Sequence, residues 1–65
     1  MPKKTFLRLR NEKQESIIRA AIHEFIENGF ARAKIADIAQ NAGVAKGSMY
    51  QYFEDKEELY VYCAE

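Results

Sequence analysis

Within the six residues 46–51 the chain places an ammonium, a glycine, a hydroxyl, a phenol and a carboxamide, namely Lys46, Gly47, Ser48, Tyr50 and Gln51, with Met49 the one apolar side chain among them. No nucleophile here has a neighbouring base. The groups are hydrogen-bond donors and acceptors of the kind that meet phosphate oxygens and base edges. Elsewhere the sequence offers little for catalysis. His23 has no evident acid-base partner and is expected at the solvent side or edge of a helix. Glu57 and Glu58, as i, i+1 neighbours on a helix, cannot face each other and so form no hydrolytic pair. Cys63 is the single cysteine and His23 the single histidine, which excludes an internal disulfide and a Cys/His metal cluster. Set among apolar residues, Cys63 is expected to be a buried, inert thiol. No cofactor, metal or enzymatic activity is implied.

The elements that position these groups must come from a short chain. Sixty-five residues make one small domain, which buries only about 60% of the surface its unfolded form exposes, so the core is thin and stability rests on packing alone. With 48% hydrophobic and 31% charged residues the composition is globular, without a membrane-length apolar run or a signal-peptide core. A soluble, cytoplasmic domain is expected. Ten basic and ten acidic residues cancel, yet they are segregated along the chain. Lys3, Lys4, Arg8 and Arg10 precede any acid, whereas Glu54, Asp55, Glu57, Glu58 and Glu65 face only Lys56 near the other end. Within residues 29–53 Arg32, Lys34 and Lys46 outnumber Asp37, a local positive footprint hidden by the total.

Hydrophobic spacing predicts four helices. In residues 11–28, Ile17, Ile18, Ala21, Ile22, Phe25 and Ile26 recur at three- and four-residue intervals, one buried stripe that Gly29 ends as a C-cap, with Phe30 folding back on the last turn. A second helix over 35–42 turns Ile35, Ile38, Ala39 and Ala42 inward and stops at Gly43. The third, 45–53, turns Ala45, Met49, Tyr52 and Phe53 inward. Asp55 and Glu58 have capping-box spacing and open a fourth helix from 55 to 65. That helix is apolar most of the way round: it either closes a three-helix core or, the preferred reading, begins a segment that continues beyond this sequence.

The tight connection centred on Gly43 forces the second and third helices to cross steeply. Ala39 is small where the third helix crosses, Gly43 takes the left-handed turn, and Ile38, Ala42, Val44, Met49 and Tyr52 fill the wedge. At 100° per residue, with Met49 inward, Gly47, Tyr50, Gln51 and Glu54 face outward, flanked by Lys46 and Ser48. Glycine at the second position of a solvated helix costs about 1 kcal/mol relative to alanine. It is accounted for if the helix must approach a phosphate or base edge closely.

Taken together, Ile17-Ile18-Arg19-Ala20-Ala21, Phe25, Gly29-Phe30, Asp37-Ile38-Ala39, Ala42-Gly43-Val44, the run Lys46 to Phe53, and Lys56-Glu57-Glu58-Leu59 resemble the tetracycline-repressor (TetR) family over residues 14–65. The resemblance implies an all-α fold: a three-helix helix-turn-helix, homeodomain-like bundle at 11–54 with its motif at about 34–53, preceded by a basic arm at 1–10 and followed at 55–65 by the start of a fourth helix. It also implies a dimeric repressor of a palindromic operator, with double-stranded DNA in the major groove as partner. Homodimerisation and a small-molecule inducer would both belong to a C-terminal domain outside this sequence, and no membrane is involved. Carried over by position, Lys46 and Gly47 touch phosphate or base edge, with Ser48 beside them. Tyr50 and Gln51 read bases, Tyr52 reaches a phosphate while its ring packs inward, and Lys56 clamps the backbone. The second helix departs from the pattern, since Ala33-Lys34 stands where a capping Ser or Thr is usual and Ala36 where many members have a basic reader. Lys34 is expected to recover one phosphate contact. Ala45 likewise replaces a capping Ser. Two readings of the basic arm stand equal, a minor-groove contact and disorder. The rival for the whole chain is a small helical protein-interaction module using the tyrosine-rich surface.

Overall fold

The computed structural model describes residues 2–65, so Met1 of the expected arm lies outside the described residues. It is all-helical: α1 Lys4–Leu7, α2 Asn11–Arg32, α3 Ile35–Ala42, α4 Lys46–Tyr52 and α5 Lys56–Ala64. The four helices expected from periodicity are α2 to α5, and α1 is an additional single turn. Ile17, Ala21 and Phe25 make the buried line of α2, against which α3 and α5 pack. Ile35, Ile38, Ala39 and Ala42 are all buried on α3, and α4 adds Met49. Phe6, Ile17, Ile38, Met49, Phe53 and Leu59 are the largest side chains wholly removed from water, each contributing roughly 1.5–3 kcal/mol of burial.

Three differences from the sequence expectation have physical causes. First, α2 carries two adjacent apolar lines, and this small fold covers one. Ile18 is half-buried, while Ile22 and Ile26, expected inside, are 38% and 75% exposed. Second, Gly29 ends the regular helix as expected, but not in the left-handed C-cap conformation. Its φ of 75° and ψ of 162° lie in a region open essentially to glycine, and they kink the chain before one more turn that ends at Arg32. Phe30 does fold back, with its ring 6.2 Å from Phe25 and 5.1 Å from Tyr60. Third, the segment ahead of residue 11 belongs to the folded unit. Phe6 is completely buried, its ring 4.9 Å from Phe53 and 5.7 Å from Tyr62. An apolar ring within a basic run accounts for this, because charge alone had marked the segment as an arm.

The turn between α3 and α4 is as the spacing required. Gly43 has φ 75° and ψ 30°, its N–H donates to the Gln40 carbonyl at 3.2 Å, and the Val44 N–H donates to the Ala39 carbonyl at 2.9 Å. This paired arrangement ends a helix by satisfying its last carbonyls and redirects the chain within two residues. Gly43→Ala, which forces a Cβ into left-handed backbone, is expected to destabilise the domain by about 1–2 kcal/mol in urea denaturation.

Candidate nucleic-acid interface

α4 is a seven-residue helix with Met49 buried as its inward anchor. Helical geometry then sets Gly47 and Gln51 on the crest, Lys46 and Tyr50 on one flank, and Ser48 and Tyr52 on the other. Lys46, Gly47, Tyr50 and Gln51 are exposed, and Ser48 and Tyr52 are half-buried. The helix begins after Ala45, which is exposed at the cap rather than turned inward and supplies no side-chain cap. A Cβ built on Gly47 would meet no atom within 4 Å, and its φ is not positive. The domain's own packing and backbone therefore place no demand for glycine at this position.

The far end of α4 is held by residues that the sequence reading did not place there. Three carbonyls at a helix C-terminus, here those of Tyr50, Gln51 and Tyr52, lie beyond the last intrahelical bond, which runs from the Phe53 N–H to Met49. The Lys3 ammonium donates to Tyr50 at 3.1 Å, the Thr5 hydroxyl donates to Gln51, and the Lys3 backbone N–H donates to Tyr52 at 2.8 Å. Lys3 also pairs with Glu54 at 3.2 Å, joining the basic and acidic ends of the sequence across the fold. The Phe6 ring lies 6.1 Å from that of Tyr52, edge to face.

Lys34 and Lys56 lie apart from α4 in the chain, and each has a structural partner. Lys34 is exposed at the N-cap of α3, without a side-chain cap of its own. Its backbone N–H instead donates to Oε2 of Glu24, a buried carboxylate on α2, at 3.1 Å. Glu24 thus secures the N–H of the cap residue itself, not the first-turn N–H groups that a Ser or Thr would meet, and does so from ten residues away, a contact that no local spacing rule reveals. The Lys56 ammonium donates to the carbonyls of Ala31 at 3.3 Å and Ala33 at 3.1 Å, and sits 4.6 Å over the Phe30 ring. A cation at these carbonyls meets the negative end of α2. The Asp55 carboxylate caps α5 by accepting from the Glu58 N–H at 2.8 Å, as the box spacing predicts, while Glu58 reaches back one residue further than expected, to the Glu54 N–H at 2.7 Å.

Other chemistry is sparse. No group of three or more His, Cys, Asp or Glu side chains among the described residues is arranged to hold a metal. Burial pushes the Cys63 thiol up from 9.0 to about 11, which keeps it protonated and unreactive near neutrality. Among the described residues no helix is long and apolar enough to cross a membrane.

This arrangement of two short helices about a left-handed glycine agrees with what comparison finds. Residues 17–63 match the family model described as bacterial regulatory proteins, tetR family. The chain belongs to the tetR family. A tetR-family regulator from Chloroflexus aurantiacus, known from its crystal structure, matches with a TM-score of 0.89 and 44% identity over 95% of this chain and 29% of its own. The helix-turn-helix transcriptional regulator YvdT of Bacillus subtilis is 42% identical over all of this chain and 31% of its own length. The transcriptional repressor BepR of Brucella suis is 39% identical over 75% of this chain and 23% of its own. The chain therefore spans less than a third of the length of each of these proteins, and its match to the family model lies within that span. The rival protein-interaction reading is not favoured.

The double contact of Lys56 with α2 has a measurable consequence. Lys56→Met, which keeps the stem and removes the charge, is expected to lower stability by about 1 kcal/mol in urea denaturation, since two carbonyls lose a charged donor in a half-exposed setting.

Proposed function

We propose that this domain is the reading head of a ligand-released repressor, and that α4 enters the major groove of its operator. The observation that carries the reading is the crest of α4. Gly47 is a residue the free fold does not need, and it is flanked by the exposed side chains of Lys46, Tyr50 and Gln51. A glycine that stabilises nothing inside the domain makes sense if space must be kept for something outside it. Gln51 and Tyr50 are assigned as base readers, with Lys46 and Ser48 as phosphate or base-edge contacts and Gly47 as the point of close approach. Tyr52 is assigned a phosphate through its hydroxyl, its ring resting against Phe6. Lys34 contributes one exposed charge. Lys56 is assigned a backbone phosphate through the third N–H of an ammonium that donates to Ala31 and Ala33.

The whole protein is proposed to be a cytoplasmic homodimer whose C-terminal domain binds a small-molecule inducer. Relatives more than three times as long support a further domain. So does the face of α2 and α5 on which Ile22, Ile26 and Tyr60 are exposed together, an apolar surface that a joined domain would cover. Two heads on one side of a duplex stand about 34 Å apart, so the operator is a near-palindrome. The name of BepR, a repressor, supports the negative sign of regulation.

Selection of bound duplexes from a random library tests the assignments. Gln51→Ala is expected to relax preference at one position, a bidentate contact being worth about 1–3 kcal/mol against the wrong base, and an unchanged consensus would remove Gln51 as reader. Gly47→Ala is expected to raise the thermal midpoint by a few degrees, from up to about 1 kcal/mol of helix propensity, while weakening binding of the selected duplex. An alanine variant that binds as tightly as the wild type would refute the close-approach role.

A further inference from the structure

The N-terminal segment of basic charge has a contact pattern that neither a groove-binding arm nor a disordered tail explains. All three terminal carbonyls of α4 that lack an intrahelical donor are met by residues 3–5: Tyr50 by the Lys3 ammonium, Gln51 by the Thr5 hydroxyl and Tyr52 by the Lys3 N–H. The same segment is fixed in place by Phe6, which is wholly buried and touches Tyr52 on α4, Phe53 after it and Tyr62 on α5. α4 packs chiefly on α3 along its inner side and on α1 at its C-terminal end.

We infer that Lys3, Thr5 and Phe6 are positioning residues for the recognition helix: they cap its C-terminal end from a distance and thereby set the orientation of Tyr50 and Gln51 toward bases. The physical argument starts from length. A helix of two turns is far below the roughly 12–15 residues at which isolated helices become even marginal, so it keeps its last turn only if the surroundings satisfy that turn's carbonyls. Phe53 follows in extended conformation and leaves no residue downstream to act as a cap. The two residues assigned to base reading have their own carbonyls held by this segment, Tyr50 by Lys3 and Gln51 by Thr5. Releasing the clamp frays the backbone beneath the readers while α3, the Gly43 turn and Met49 keep the first turn in place. The effect is therefore on discrimination between duplexes more than on overall attraction to DNA, because sequence-independent affinity comes from charge.

The inference rests on the base-reading assignment of α4, and its test separates the two. Thr5 is exposed, so Thr5→Val removes the hydroxyl donor and leaves the core intact, while Thr5→Ser returns the donor without the methyl. The intact chain and these variants are titrated at low salt with the duplex that the wild type enriches from a random library, and with a scrambled duplex of the same composition. Thr5→Val is expected to bind the selected duplex about three- to fivefold more weakly and the scrambled one unchanged, with Thr5→Ser restoring the difference. Amide hydrogen exchange, read without DNA, is expected to accelerate at residues 50–53 by a similar factor and to stay unchanged across α2 and α3. Lys3→Met is expected to lower selected-duplex affinity with the salt slope intact, whereas a slope reduced by about one would make Lys3 a phosphate contact and overturn its part in the clamp. Wild-type exchange rates at residues 50–53 in Thr5→Val, or equal losses on both duplexes, would overturn the inference. A wild-type chain that enriches no duplex would instead sink the base-reading assignment, and the exchange measurement would still decide whether the clamp exists.

Discussion

A helix of seven residues cannot sustain itself in water, because the cost of fixing its first turn is not repaid over so few bonds. α4 therefore exists through what its neighbours provide, and most of the architecture can be traced to that need. α3 and the wedge of Ile38, Ala39, Ala42 and Met49 hold its inner side. The Gly43 turn, with its paired bonds from Gly43 and Val44 to the carbonyls of α3, fixes the point from which it starts. Lys3 and Thr5 hold the end where it stops. With so many constraints supplied from inside the fold, the outer surface of α4 is left with no structural duty. Its residues are consequently available to be selected for recognition.

That division explains what was legible in the sequence. The helices α2 to α5, the Gly43 turn and the outward set of Lys46, Gly47, Tyr50 and Gln51 follow from hydrophobic period and from glycine position, which are local properties. The exact span of α3 and the Asp55 cap follow in the same way, because the residues concerned lie within one or two turns of each other. Contacts between distant parts were not legible. Glu24 supports the backbone at Lys34, and Lys3 supports the end of α4 from 47 residues away. Neither partner carries a pattern that distinguishes it from an ordinary surface charge. Phe6 was the one available signal, a large apolar side chain in an otherwise basic run, but charge dominated the reading of that segment. The half-covered α2 was missed for a different reason: periodicity identifies apolar lines and does not say how many of them so small a domain can enclose.

The charge distribution is a related case. A net charge of zero argues weakly against a nucleic-acid partner, whereas the fold sorts the charges by task. Lys3 is tied to Glu54 and Lys56 to α2 carbonyls, so part of the positive charge is spent on holding elements together. Exposed Lys46 and Lys34 remain on or next to the helix-turn-helix. Counting charge without geometry mixes these two populations.

The short connection between α2 and α3 is gripped from both sides by groups of opposite sign. Glu24 takes the N–H of Lys34, and Lys56 takes the carbonyls of Ala31 and Ala33. Within four residues the backbone thus has donors and acceptors secured by side chains from two different helices, which leaves the elbow little freedom to flex. Bending at this elbow would break three side-chain hydrogen bonds at once, so the backbone of residues 31–34 ties α5 to the start of α3.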